Sequence, residues 1–352
     1  MTDKNLAFAT NCPDDPGLLN QQRFHKIMSI GIKDVARAAG VAPSTVSRAL
    51  GKGPVSAEVR RKVEAAVAQT GYRPNLSARR LRSQRSMTIG LVVADIRNPF
   101  FTQLSRAVED EAYRAGMRVF LCNTDEDPAR EQMYLELMAE ERAAGLILAP
   151  TRFIAGRALA DFPVPTVLVD RSLTGGPRDT VVLDNAGAMR LLVDHLIEGG
   201  RRRIAGLFGA TSGTGSERRA AYEARMAELG LAPIARTAPP NPEGGREALE
   251  RLLDEEAPEA LILSNGLFVG AALRLCRDRG LAIPQGMALA GFDDEAWTSL
   301  VEPGITVIRQ PVDAFGREAM QMLRGRIATP GQPYRTVILS GELVIRGSTA
   351  PA

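Results

Sequence analysis

From Met87 onward the chain alternates short β-branched runs with amphipathic helical stretches, and that alternation leaves few folds open. The runs are Thr88–Ala94, Val119–Cys122, Gly145–Ala149, Thr166–Val169, Ile204–Phe208, Ala260–Leu263 and Ala288–Gly291. Between them lie stretches such as Phe101–Ala115 and Leu191–Glu198, with apolar positions at helical spacing. Strand–helix alternation builds parallel sheets with right-handed crossovers. Strands buried on both faces read as unbroken apolar runs, as these do. They are too many for one compact sheet, so two similar lobes are expected. A last helix, Val312–Ile327, precedes closing strands near Thr336–Ile345.

Ahead of this body lies a basic segment. Residues 26–86 hold thirteen Lys/Arg against three acidic residues, a net of +10, although the whole chain carries only +3. A small basic head on an acidic body points to a polyanion partner, the plainer reading being a solvated basic surface. Residues 1–30 are rich in Asn, Asp and Pro and are expected to be a disordered tail. They contain no apolar core of a secretory signal, and no run of about 18 apolar residues occurs anywhere, so a cytoplasmic protein without a membrane partner is expected. Cys12, Cys122 and Cys276 are odd in number and widely spaced, which argues against a disulfide framework or a metal site.

Within the head the pattern predicts helices over Ile32–Ala39 and Pro43–Leu50 and a third after Ser56. Gly40 permits a tight turn between the first two, and Val41 plugs the corner. These are helix-turn-helix dimensions. The second helix exposes Ser44, Thr45, Ser47 and Arg48; short hydroxylated side chains with one Arg suit a major groove, because Arg pairs with guanine O6 and N7. The alternative is a three-helix bundle that enters no groove. A further short helix is expected from Asn75 to Arg82, capped by Asn75. Ala78 and Leu81 share its face among Arg79, Arg80, Arg82 and Arg85, as in an apolar wedge for a minor-groove step. A linker whose Leu packs on the body is the plainer reading.

The chain resembles the lactose/galactose-repressor (LacI/GalR) family of bacterial transcriptional regulators. The resemblance rests on Ile32–Leu50, Val55-Ser56, Gly71-Tyr72-Arg73-Pro74-Asn75, Ala78–Leu81, Asn98-Pro99-Phe100-Phe101, Val169-Asp170-Arg171, Gly291-Phe292-Asp293-Asp294 and Ile308-Arg309-Gln310. These stand in family order from about residue 30 to 347. The resemblance implies a small all-α helix-turn-helix head (31–73), a hinge helix (74–86) and a two-lobed α/β sensor (87–348) shaped like periplasmic sugar-binding proteins, with two doubly wound parallel sheets. The N-lobe is expected over 87–182 and 311–330, the C-lobe over 183–309 and 331–348. It also implies a homodimer, or a tetramer, on a near-palindromic double-stranded operator, acting as a repressor tuned by a sugar-like small molecule. Pro43, Ser44 and Arg48 would occupy base-reading positions, and Leu81 that of the hinge leucine.

Ligands of such two-lobed proteins sit where the carboxyl ends of the strands meet. By the resemblance, Asp170, Arg218, Asn265, Asp293 and Gln310 would touch the effector, while Asn98 and Phe101 line the cleft. Each has a plainer reading: Phe100 and Phe101 as core, Asp170-Arg171 as an ion pair, Asp293 as a helix cap. Trp297 borders the cleft or belongs to the core. Two positions depart from the family pattern. Ala42 replaces a residue that often bears a hydroxyl, and Asn265-Gly266 replaces a frequent Asn-Asp, so a carboxylate is missing beside the pocket. No catalytic set, cofactor motif or metal cluster stands out, and the glycine-rich 209–215 reads as a loop after a strand, so no enzyme activity or cofactor is expected.

Overall fold

The computed structural model describes residues 30–51, 53–72, 87–151, 159, 162–173 and 178–351. The chain divides into two compact units, Met1–Gln84 and Arg85–Ala352. The tail before Ile30 and the expected hinge helix, with Asn75, Ala78 and Leu81, lie outside the described residues.

The first unit holds helices α1 (Ile32–Ala39), α2 (Pro43–Leu50) and α3 (Ala57–Thr70). Gly40 ends α1 at φ +66°, a left-handed conformation that costs glycine nothing, and turns the chain into α2. Pro43 opens α2, where its fixed φ suits the first turn and its missing N–H is not needed. Ser56 caps α3 by accepting from the Val59 N–H. Val35, Ala36, Val46, Ala49, Val63 and Ala66 form the shared core, and Val41 packs against it from the turn. Arg60 of α3 reaches back to the Ala49 carbonyl at 2.5 Å, so a cation satisfies the carboxyl end of α2.

The second unit contains two six-stranded sheets. Strands β1 (Thr88–Val93), β2 (Arg118–Asn123), β3 (Gly145–Leu148), β4 (Thr166–Val169), β5 (Asp179–Leu183) and β11 (Thr336–Leu339) form the N-lobe sheet, in the order β11-β5-β4-β3-β1-β2 and all parallel. Strands β6 (Ile204–Gly209), β7 (Ile234–Ala238), β8 (Ala260–Leu263), β9 (Ala288–Phe292), β10 (Thr306–Arg309) and β12 (Glu342–Val344) form the C-lobe sheet, in the order β12-β10-β9-β8-β6-β7. Only β12 runs antiparallel there. The helices between them are α4 (Pro99–Arg114), α5 (Pro128–Glu140), α6 (Asn185–Glu198), α7 (Gly213–Glu228), α8 (Pro242–Glu256), α9 (Gly266–Asp278) and α10 (Val312–Ala328).

Burial on both faces explains the apolar runs. In β1, Leu91 and Val93 join the core beneath α4 and α10, while Val92 points the other way, to Leu135 and Met138 of α5. β5 and β7 extend the alternation read from the sequence. β7 is an edge strand, and its Ile234, Ala235 and Arg236 are only half-buried, so it lacks the continuous apolar pattern. The lobe boundary expected from sequence needs one correction. Thr336–Leu339, assigned to the C-lobe with 331–348, pairs in parallel with β5 and so belongs to the N-lobe. The chain returns to the C-lobe only at β12. It therefore crosses between lobes three times, at Asp184, at Gln310-Pro311 and at Ser340-Gly341. Among the described residues no helix is long and apolar enough to cross a membrane.

Candidate functional site

In the head, Pro43, Ser44 and Arg48 are exposed on one side of α2, and Thr45 and Ser47 are half-buried beside them. Among the described residues Arg48 makes long hydrogen bonds along its own helix, 3.4 Å to the Ser44 carbonyl and 3.5 Å to Thr45 Oγ1. Val46 and Ala49 face inward and anchor the helix. The exposed face thus offers a guanidinium and hydroxyls on a rigid support. Asn75, Ala78 and Leu81 lie outside the described residues.

In the sensor, one cleft is lined by Asn98, Phe101, Asp170, Arg218, Asn265, Asp293 and Gln310 together. All seven effector candidates named from the sequence meet there, although they span more than 200 positions. Most stand at or just beyond the carboxyl end of a parallel strand, as doubly wound topology requires. Asn98 and Asn265 have a second role: their side chains cap α4 and α9, accepting from the Phe100 and Phe268 N–H groups at 3.1 and 2.9 Å.

Asp170 and Asp293 occupy matching places in the two lobes. Asp170 follows β4 and Asp293 follows β9, and both are left-handed, at φ +68° and +76°. Each donates its backbone N–H at 3.0 Å to the neighbouring strand, Asp170 to Val181 and Asp293 to Ile308. Non-glycine residues adopt this conformation at a cost, and Asp bears it better than most. Both side chains are buried and line the cleft.

The cleft is polar but internally paired. Arg171 binds Glu126 at 2.6 and 2.8 Å and Asp170 at 3.2 Å. Burial pushes the Asp170 carboxyl up, against the pull of Arg171 and Arg218. Burial opposes the Arg171 charge, but Glu126 and Asp170 outweigh it and hold its pKa up. Arg218 donates to Asn185 Oδ1 at 2.8 Å and to the Ser264 carbonyl at 2.5 Å, without an ion-pair partner among the described residues. Burial lowers its pKa. Asp293 accepts from the Gln310 amide at 2.6 Å and the Gly266 N–H at 2.9 Å. Phe100 and Phe101 meet edge-on at 5.1 Å, serving both as core and as cleft wall. The free space is about 40 Å³, room for water more than for a sugar ring.

Sequence reasoning passed over Glu126 and the residues of the glycine-rich turn, Ser212, Thr214 and Gly215, which also line the cleft. Gly215 lies so close to β6 that a Cβ would sit 2.2 Å from the Gly209 carbonyl oxygen. The glycines there admit close packing of α7, which carries Arg218 into the cleft. Trp297 packs against the C-lobe core and does not line the cleft. Among the described residues no group of His, Cys, Asp and Glu is placed to hold a metal ion.

Comparison with known proteins bears on both units. Residues 31–75 match the model of bacterial regulatory proteins of the lacI family, and residues 193–349 match that of periplasmic binding protein-like domains. The regulator PtxS of Pseudomonas plecoglossicida is 36% identical over 327 residues, covering 91% of this chain and 96% of its own. The ribose operon repressor of Escherichia coli K12 is 33% identical over 330 residues, covering 90% and 99%. The Lac repressor dimer bound to operator and the anti-inducer ONPF superposes with a TM-score of 0.81 at 26% identity, covering 91% and 99%. With a three-helix reading head, a paired-sheet effector body and relatives matched along nine-tenths of its length, this chain belongs to the lacI family of DNA-binding transcriptional regulators.

Proposed function

We propose that this chain is a homodimeric, cytoplasmic repressor that binds a near-palindromic operator through α2 and responds to a sugar-derived metabolite held between its lobes. The observation that carries this reading is the convergence of Asn98, Phe101, Asp170, Arg218, Asn265, Asp293 and Gln310 on one cleft between two hinged lobes. Carboxylates, amides and one guanidinium match the mixed donors and acceptors of a polyol, and Phe101 offers a face to its C–H side. A fixed array of this kind binds and orients; it lacks a nucleophile paired with a base, so the reading is of a sensor and not an enzyme.

In the head, Pro43, Ser44 and Arg48 stand at the base edges, while Thr45 and Ser47 touch phosphates or base edges beside them. Asn75, Ala78 and Leu81 complete the contact at the operator centre. Two similar proteins support the scheme: one is a repressor of a ribose operon, and the other is a repressor dimer on its operator. Linkage does the rest. A ligand that prefers one lobe arrangement shifts the population of that arrangement, and operator affinity shifts with it.

The test is fluorescence anisotropy on the full chain. Operator fragments selected from random duplex by the protein itself are titrated with and without a panel of sugars, sugar acids and nucleosides. The expected result is nanomolar, sequence-selective binding that one panel member changes at least tenfold. Equal affinity for selected and random duplex at physiological salt would overturn the reading.

A further inference from the structure

We propose that Glu126 makes the cleft selective for an uncharged effector over a carboxylated one, by taking up the charge of Arg171 and leaving the cleft a negative surplus. The proposal rests on the reading of the cleft as an effector site. Glu126 and Arg171 both line that cleft, yet neither is among the residues expected to grip a ligand.

Arg171 spends its donors inside the N-lobe. Its Nη2 and Nη1 meet the two Glu126 oxygens at 2.6 and 2.8 Å, Nη1 also meets the Pro150 carbonyl at 3.0 Å, and Nε meets Asp170 at 3.2 Å. A guanidinium has five N–H groups, and these bonds take four of them. The two-pronged contact with a carboxylate is the strongest that Arg makes, and Glu126 holds it. Glu126 follows β2, Pro150 follows β3, and Asp170 and Arg171 follow β4, so none of these bonds crosses the cleft or depends on how far it is open. Glu126 keeps its place at a cost. It and Asp125 are left-handed, at φ 59° and 52°, and its N–H is tied to the Ala94 carbonyl at 3.1 Å.

The charge that remains in the cleft is negative. Asp95 is answered by Arg97 at 2.9 Å. Glu126, Asp170 and Asp293 then stand against Arg171 and Arg218. Burial works against the Arg218 charge, while Asp293 and Asp170 support it, so this cation too is counterbalanced without a ligand. A hydroxyl both donates and accepts, and it suits a cleft that mixes carboxylates with a guanidinium. A ligand carboxylate only accepts, and it adds a like charge to a site that already carries an excess of that sign. Without the Glu126 charge the remaining acids and guanidiniums balance, and the penalty on an acidic ligand falls.

Isothermal titration and thermal shift on the full chain test this with D-glucose, D-galactose and D-mannose. Each is set against the uronate of the same ring, which carries a carboxylate in place of the hydroxymethyl group, and against the neutral methyl ester of that uronate. At least one sugar is expected to bind about tenfold or more tightly than its uronate, with the ester nearer the sugar. The nearly isosteric Glu126→Gln is expected to bring sugar and uronate near parity, and Glu126→Asp, which keeps the charge, to preserve the preference. A uronate that binds as well as its sugar, or no binding by any of the sugars, overturns the proposal. So does an unchanged ratio in Glu126→Gln, including one where both affinities fall alike, which marks Glu126 as scaffold. The ester comparison is made on the parent chain and carries the test where Glu126→Gln loses its fold: an ester no better than the uronate assigns the preference to shape and overturns the role of charge. A uronate that binds well leaves the cleft standing as an effector site while this inference fails, and operator selectivity on the same preparation reads the regulator function separately.

Discussion

The guanidinium of Arg218 stacks on the ring of Phe292, 3.8 Å from its centroid, and no carboxylate among the described residues lies close enough to form an ion pair with it. The ring's quadrupole replaces part of the hydration lost on burial, and Asn185 and the Ser264 carbonyl take two of its donors. Arg218→Ala removes all three interactions and strands two acceptors. We expect a loss of about 1–3 kcal/mol in stability and of at least tenfold in ligand affinity, with operator selectivity kept. Chemical denaturation followed by ligand titration measures both.

Arg48 is exposed, and its intrahelical contacts at 3.4 and 3.5 Å are too long to matter for stability. Arg48→Ala is expected to leave the melting temperature of the head within a degree or so while costing about 1–3 kcal/mol of selective binding. Competition between selected and random duplex distinguishes a lost base contact, which narrows the ratio, from a lost phosphate contact, which weakens both alike.

Arg60→Met tests the opposite behaviour. Its bond to the Ala49 carbonyl closes the carboxyl end of α2, and a cation there also complements the helix dipole. We expect the head to lose about 1–2 kcal/mol of stability and DNA affinity to fall for selected and random duplex together. A reduced ratio between the two with unchanged stability would assign Arg60 to base reading instead.

His195, half-buried on α6, bonds Thr349 Oγ1 at 2.7 Å, and burial lowers its pKa from 6.5. The unfolded chain therefore binds a proton more readily than the folded one. Stability contributed by the neutral ring is complete above about pH 6.5 and is lost as pH falls through the lowered folded value. Thermal melts from pH 7.5 to 5.5 should show a steeper acid-side decline in the parent than in His195→Gln. Parallel declines would mean that the ring titrates alike in both states.

Gly215→Ala places a methyl group 2.2 Å from the Gly209 carbonyl. Overpacking of this kind costs about 1–3 kcal/mol and pushes α7, with Arg218, away from β6. We expect weakened ligand binding without loss of operator selectivity, read by the same titrations.

The sequence carried the head almost to the residue, because Gly40, Pro43 and Ser56 are local signals whose meaning does not depend on the rest of the chain. The cleft was legible where a polar residue directly follows an apolar run, as at Asp170, Asn265 and Asp293. It was not legible at Glu126, which reaches its place through a loop with no pattern of its own. Strand β11 shows the other limit. Thr336–Leu339 reads like β12 beside it, and only the pairing with Thr180–Leu183, more than 150 positions away, decides the lobe. Register between distant strands is a property of the assembled sheet, not of either segment.

Of the three crossings between lobes, the one at Gln310-Pro311 also supplies a wall of the cleft. A molecule gripped by Gln310 thus presses on the fulcrum and not only on the jaws. A swing that parts Gln310 from Asp293 would break the 2.6 Å bond between their side chains. With the effector placed as proposed, sensing and leverage would share one residue, and a small occupant could steer a large body without first having to bridge it.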